Sequence, residues 1–216
     1  MINLNLYDVL ILLIGVSMIY VSLSTRQEAY IKTLFIQGLL LSILIALDFG
    51  KIEMKTYIFL LIETLLFKTI IIPIFLSRLI HSTNSRRDVR PYIPAFFSIL
   101  ITSLIVGFGF FISYFAKEHI ANVKTLYFGI SISVIINSLF IIISRRKIMT
   151  HIILYIFLEN GTFLLSLSVA KEMPLIVSLG ILLDVFVCVF IFGIFAGHIK
   201  ELFDELDIDN IKNLKD

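Results

Sequence analysis

Seven stretches of about 20 mostly apolar residues follow one another with only short polar breaks, and at about 1.5 Å per residue each can cross a hydrocarbon layer about 30 Å thick. They fall near residues 4–24, 29–48, 56–80, 92–115, 126–144, 148–170 and 174–198. In lipid every backbone N–H and C=O must be bonded within the protein, which a continuous apolar run achieves as a helix. The expected fold is therefore an all-α polytopic membrane protein of about seven transmembrane helices. It forms a single domain over residues 1–198, followed by a short tail over 199–216. Composition agrees, because a water-soluble chain of 216 residues with 59% apolar residues and a mean hydropathy of +1.02 could not hide so much apolar surface.

The first run could be taken for a signal peptide, yet no Lys or Arg precedes it, Asp8 sits at its start, and it outlasts a signal core. It is read as a retained helix. The net charge of +2 is spread in short clusters between apolar segments, which argues against nucleic acid and sets topology instead. Arg26, Lys32, Arg78, Arg86, Arg87, Arg90, Arg145, Arg146, Lys147, Lys200, Lys212 and Lys215 collect on one side, against Lys51, Lys55, Lys117, Lys124 and Lys171 on the other. Positive loops stay in the cytoplasm, so the C-terminus is expected there and the N-terminus outside. The tail from Ile199 to Asp207 is acidic and mildly amphipathic, and reads equally as a docking segment or a polar terminus.

Four charges remain inside the apolar runs: Glu63, Lys68, Glu159 and Asp184. Each costs about 2.5–3.5 kcal/mol at the bilayer centre on insertion scales, so each needs a reason to be there. Counting along the helices puts Lys68, Glu159 and Asp184 at one depth near the midplane, on helices three, six and seven, with Glu63 nearer the outer face. Such a row suits a proton or ion relay, since protons pass between carboxylates and a lysine whose affinities are comparable and which water can bridge. The alternative is an ion pair that only fixes helix packing. Pro73, five residues after Lys68, frees a backbone carbonyl and is expected to kink helix three beside that charge.

Other polar features carry less. His81, His119, His151 and His198 lie at segment ends, where a haem ligand with a mid-helix partner is not expected. The lone Cys188 excludes an intramolecular disulfide, and no Cys/His spacing suits zinc or an iron–sulfur cluster, so neither cofactor nor metal is expected. Gly107, Gly109, Gly193 and Gly197 are read as close-packing positions and Asn137 as an interhelical hydrogen-bonding residue. No Gly-rich phosphate loop or Ser/His/Asp set is present, which removes support for hydrolysis and nucleotide-driven pumping.

The run Glu159-Asn160-Gly161-Thr162-Phe163-Leu164-Leu165, then Pro174, then Val177-Ser178-Leu179-Gly180-Ile181-Leu182-Leu183-Asp184, resembles component E of hydrogenase-4 and formate hydrogenlyase type membrane-bound [NiFe] hydrogenases. Phe67-Lys68-Thr69 ahead of Pro73 looks like that family's lysine-bearing third helix, and Leu206-Asp207-Ile208-Asp209-Asn210 looks like its cytoplasmic tail. Residues 126–198 also resemble the three-helix K-type subunit of respiratory complex I, whose two intramembrane carboxylates would map onto Glu159 and Asp184. The resemblance implies a subunit that is no enzyme on its own. It would belong to an oxidoreductase complex in the bacterial or archaeal cell membrane, beside hydrophilic and antiporter-like membrane subunits and lipid, coupling hydrogen formation to proton or sodium movement. The chain departs from the family at Ser178, where an acidic residue is common. Two other readings share the fold: a component of a multi-subunit cation/proton antiporter, and a scaffold bridging larger membrane subunits.

Overall fold

The computed structural model describes residues 5–47, 49, 54–82, 92–119 and 124–169, and among them all regular structure is helical. Among the described residues, six helices are long and apolar enough to cross a membrane. They are α1 (Leu6–Leu23), α2 (Gln27–Leu47), α3, α4 (Ala95–His119), α5 (Thr125–Ser144) and α6 (Ile148–Val169). Helix α3 changes winding twice, running as α-helix over Met54–Ile62, π-helix over Glu63–Ile71 and α-helix again over Ile72–Ser82. The first six apolar runs of the sequence find their helices, and the most displaced is the fourth, which spans Ala95–His119 rather than 92–115. The seventh run, with Pro174, Ser178, Asp184, Cys188, Gly193, Gly197, His198 and the tail, lies outside the described residues.

Helix α1 packs against α2, α4 and α5, while α2 also contacts α3 and α6, and α5 lies between α4 and α6. The first apolar run is thus built into the bundle, with Ile11, Ile14, Met18 and Val21 among the most buried side chains. Helix α4 is the outer wall: Phe96, Phe97, Leu104, Phe111 and Tyr114 all project outward. Such a surface would drive aggregation in water, and in a bilayer it faces lipid.

Small residues decide where backbones touch. A Cβ on Gly38 of α2 would lie 2.9 Å from the carbonyl carbon and oxygen of Lys68 and 3.0 Å from the Cα of Thr69, so α2 meets the π-helical turn of α3 backbone to backbone. Gly109 of α4 faces Gly129 and Ser133 of α5 in a similar way. Gly107, expected to be a second packing position, has nothing within 4 Å of its Cβ direction. Two residues along a helix turn about 200° around it, so the pair could not both face one neighbour.

At one end of the bundle the chain breaks that carry Arg26 and Arg145 to Lys147 come together. The buried Arg145 guanidinium donates to Ser22 O at 2.7 Å and Ser24 O at 3.3 Å, and so serves the unpaired carbonyls that end α1. Ser98 Oγ also donates to Ser22 O, the Tyr30 hydroxyl donates to Ser24 O, and Tyr92 N–H donates to Ser144 O. Arg146 lies over the Tyr92 ring, 4.2 Å from its centre. The opposite end is held by the Tyr7 hydroxyl donating to Leu47 O and by Lys124 N–H donating to Ser168 O.

Gly38→Ala should destabilise the protein by about 1–3 kcal/mol, the usual cost of forcing atoms into a packed site, because the obstructing atoms are backbone. Gly107→Ala should leave stability unchanged. Unfolding of both variants in the same detergent micelle measures the contrast.

Candidate functional site

The winding of α3 decides which of its side chains share a face. In an α-helix, residues five apart lie about 140° apart around the axis, so Glu63 and Lys68 would diverge. A π-helix bonds each residue to the fifth along, which stacks positions five apart instead. Between Glu63 and Ile71 the chain takes that winding, and the side chains follow. Lys68 Nζ comes within 3.9 Å of Glu63 Oε1, and Thr69 Oγ1 donates to Thr64 O at 2.8 Å, again five residues back. Pro73 follows the π stretch by two residues. Without an N–H it can bond neither the fourth carbonyl back, at Thr69, nor the fifth, at Lys68.

Lys68 reaches across to α6. Its Nζ lies 2.5 Å from Glu159 Oε1 and 4.2 Å from the centre of the Phe163 ring, which stands one turn after Glu159 on the same face. All three charged side chains are almost completely enclosed, with Glu63 1%, Lys68 3% and Glu159 3% exposed. The Lys68–Glu159 contact is an ion pair without the angular alignment of a hydrogen bond, and Glu159 Oε2 has no hydrogen-bond partner among the described residues. Two carboxylates and one ammonium are thus enclosed together within membrane-length helices, where an ionised group is costly unless it is met by opposite charge.

A neutral branch leaves the cluster at the next residue. Asn160 Nδ2 donates to Gln37 Oε1 at 3.3 Å, and Gln37 Nε2 donates to Ser17 Oγ at 2.6 Å, so hydrogen bonds run from α6 through α2 to α1. Asn160 Oδ1 and both polar atoms of Asn137 are buried with no hydrogen-bond partner among the described residues. Asn137, expected to join two helices, makes no such bond there. Buried amides of this kind call for water as a partner.

The structure brings together three of the four intramembrane charges read from the sequence. Glu63 joins Lys68 because the π-helical winding of α3 stacks positions five apart. Asp184 lies outside the described residues. Pro73 is buried in α3 below the cluster, on the side of α2. Gln37 was not singled out in the sequence, although a glutamine in the middle of an apolar span was a readable signal. Among the described residues no group of three His, Cys, Asp or Glu side chains could hold a metal. His81 Nδ1 donates to Ser77 O, and His151 Nε2 lies 2.8 Å from Arg145 O, both at helix ends.

No protein-family model matches the chain, and no solved structure is similar to it. Among curated proteins, it is 24% identical over 163 residues to uncharacterized protein Rv0085 of Mycobacterium tuberculosis, a match covering 72% of this chain and 71% of that protein.

Lys68→Met removes the ammonium that Glu159 faces at 2.5 Å and should cost about 3–5 kcal/mol, the range for breaking a buried pair. Glu159→Gln leaves Lys68 its contact with Glu63 and should cost less. The double variant should be more stable than Lys68→Met alone, and a double-mutant cycle on unfolding in micelles measures the coupling.

Proposed function

We propose that this chain is a non-catalytic membrane subunit of a hydrogenase-4 type complex, where it helps to couple electron transfer and hydrogen formation to proton movement through its intramembrane charges. One observation carries the reading: Lys68 of α3, Glu159 of α6 and Glu63 meet in a nearly solvent-free cluster within membrane-length helices. The resemblance of the segment around Glu159 to component E supports it, and so does the π-helical turn at the lysine, a feature that often marks functional positions. In this reading the seventh apolar run is a seventh span and brings Asp184 to the same depth. Turnover in a cytoplasmic arm shifts hydration or packing here, protons pass by way of Glu159 and Asp184, and Lys68 and Glu63 adjust the charge.

The direct Lys68–Glu159 contact also favours a second reading, a scaffold whose charges only lock α3 to α6. The two separate in the native membrane. Purification of the tagged chain should recover a [NiFe] large subunit and antiporter-like membrane subunits. Antiporter subunits without a redox protein would instead identify a cation/proton antiporter. Glu159→Gln should leave that assembly intact while abolishing proton uptake driven by hydrogen formation in vesicles. Loss of assembly with normal pumping per remaining complex would establish the scaffold.

Orientation follows from the basic end of the bundle, which is assigned to the cytoplasm. In a Cys188→Ser background, Arg26→Cys should react with a membrane-impermeant maleimide only from the cytoplasmic face, and Lys124→Cys only from the opposite face.

A further inference from the structure

Helices α2 and α3 touch at Gly38 and leave a cleft between that contact and the basic end. The cleft has a volume of about 510 Å³ and is walled chiefly by Phe35, Ile36, Ile70, Pro73 and Ile74. It adjoins a second hollow of about 260 Å³, with Ile31, Lys32 and Ser77 common to both. The outer hollow adds Glu28, Ile80 and His81. Along α3 the walls pass from Thr69 and Ile70 through Pro73 and Ile74 to Ser77 and His81, about 18 Å at 1.5 Å per residue, from the depth of the charge cluster to the helix end. Apolar depth with a polar mouth at the membrane boundary is the polarity profile of a phospholipid.

The cleft is an open groove about 12 Å long from Thr69 to Ser77, along which an extended acyl chain can lie. The mouth is more particular. Glu28 and Lys32 stand one turn apart on α2, a spacing that ordinarily pairs opposite charges, yet no ion pair joins them. Lys32 lies where the two hollows meet, and Glu28 and His81 line only the outer one. His81 donates its Nδ1 hydrogen to Ser77 O, so Nε2 of the neutral ring is an acceptor. From the cleft outward the mouth offers a cation, then two acceptors.

We propose that the cleft binds one phospholipid of the phosphatidylethanolamine class, with an acyl chain between α2 and α3, its phosphate on Lys32 and its primary ammonium on Glu28 and His81. A choline headgroup has no N–H for the two acceptors, and a glycerol headgroup has no cation for Glu28. The assignment rests on the membrane placement of the helices and is independent of any proton relay.

Native mass spectrometry of the purified, delipidated chain, after addition of equimolar phosphatidylethanolamine, phosphatidylcholine and phosphatidylglycerol, tests it. Phosphatidylethanolamine should be retained several-fold over the other two. Lys32→Gln and Glu28→Gln should each abolish that preference, and Ile74→Trp, which fills the cleft from an exposed position, should abolish retention with unchanged thermal unfolding. Equal retention of the three lipids, preference for phosphatidylglycerol, or phosphatidylethanolamine binding that survives all three variants would overturn the assignment. So would a photo-crosslinker at position 74 that captures, in native membranes, a protein instead of a lipid.

Discussion

A lysine ammonium enclosed among membrane-spanning helices must be met by a carboxylate, and the local structure around Lys68 is arranged so that two carboxylates meet it. Glu159 arrives from α6. Glu63 arrives only because α3 gives up α-helical winding for nine residues and stacks positions five apart. The looser winding widens the turn, and Gly38 lets α2 close on it without a side chain between the two backbones. The charge cluster, the π-helical turn and the glycine contact therefore depend on one another, and the position of α3 against both α2 and α6 follows from them.

Among the described residues, two polar clusters in the interior each join several helices. At mid-depth, the charge cluster continues into the amide branch through Gln37 and Asn160. At the basic end, Arg145, Tyr30 and Ser98 gather on the last carbonyls of α1. The two serve different physical needs. The end cluster satisfies backbone acceptors left over where a helix stops, which any helical protein must do. The mid-depth cluster satisfies no backbone need, since those helices run on past it. Side-chain charge placed in lipid without a backbone to serve is where function is most economically sought.

Much of the fold could be read from hydropathy alone, because an apolar run of membrane length leaves the backbone one efficient way to bond itself. Of the site, Lys68 and Glu159 were legible for a related reason: a charge within such a run costs too much to be incidental. Glu63 was legible as a charge, but its contact with Lys68 was not, since α-helical winding would turn residues five apart away from each other. The π-helical turn leaves no clear mark in single-residue preferences. It is set by the Lys68–Glu63 and Thr69–Thr64 pairings and by the missing N–H of Pro73, which act together only once the helices are packed. Gln37 escaped notice because it carries no charge, and its role depends on Ser17 and Asn160, far away in sequence on two other helices. Gly107 and Gly109 looked alike in the sequence and differ because only one of them faces α5.

The hydrogen bonds from Arg145 to Ser22 and Ser24 join residues more than a hundred positions apart. A chain entering the membrane from its N-terminus places α1 long before Arg145 is synthesised. Until then Tyr30 and, once α4 has entered, Ser98 are the side-chain donors to the carbonyls at the end of that helix, and α1 lacks its guanidinium tie. The turn between α5 and α6 then acts as a late latch in biogenesis. The first helix to enter the bilayer thus receives its strongest end tie late, and a chain truncated before residue 145 would hold that end of α1 through Tyr30 and Ser98 without the guanidinium.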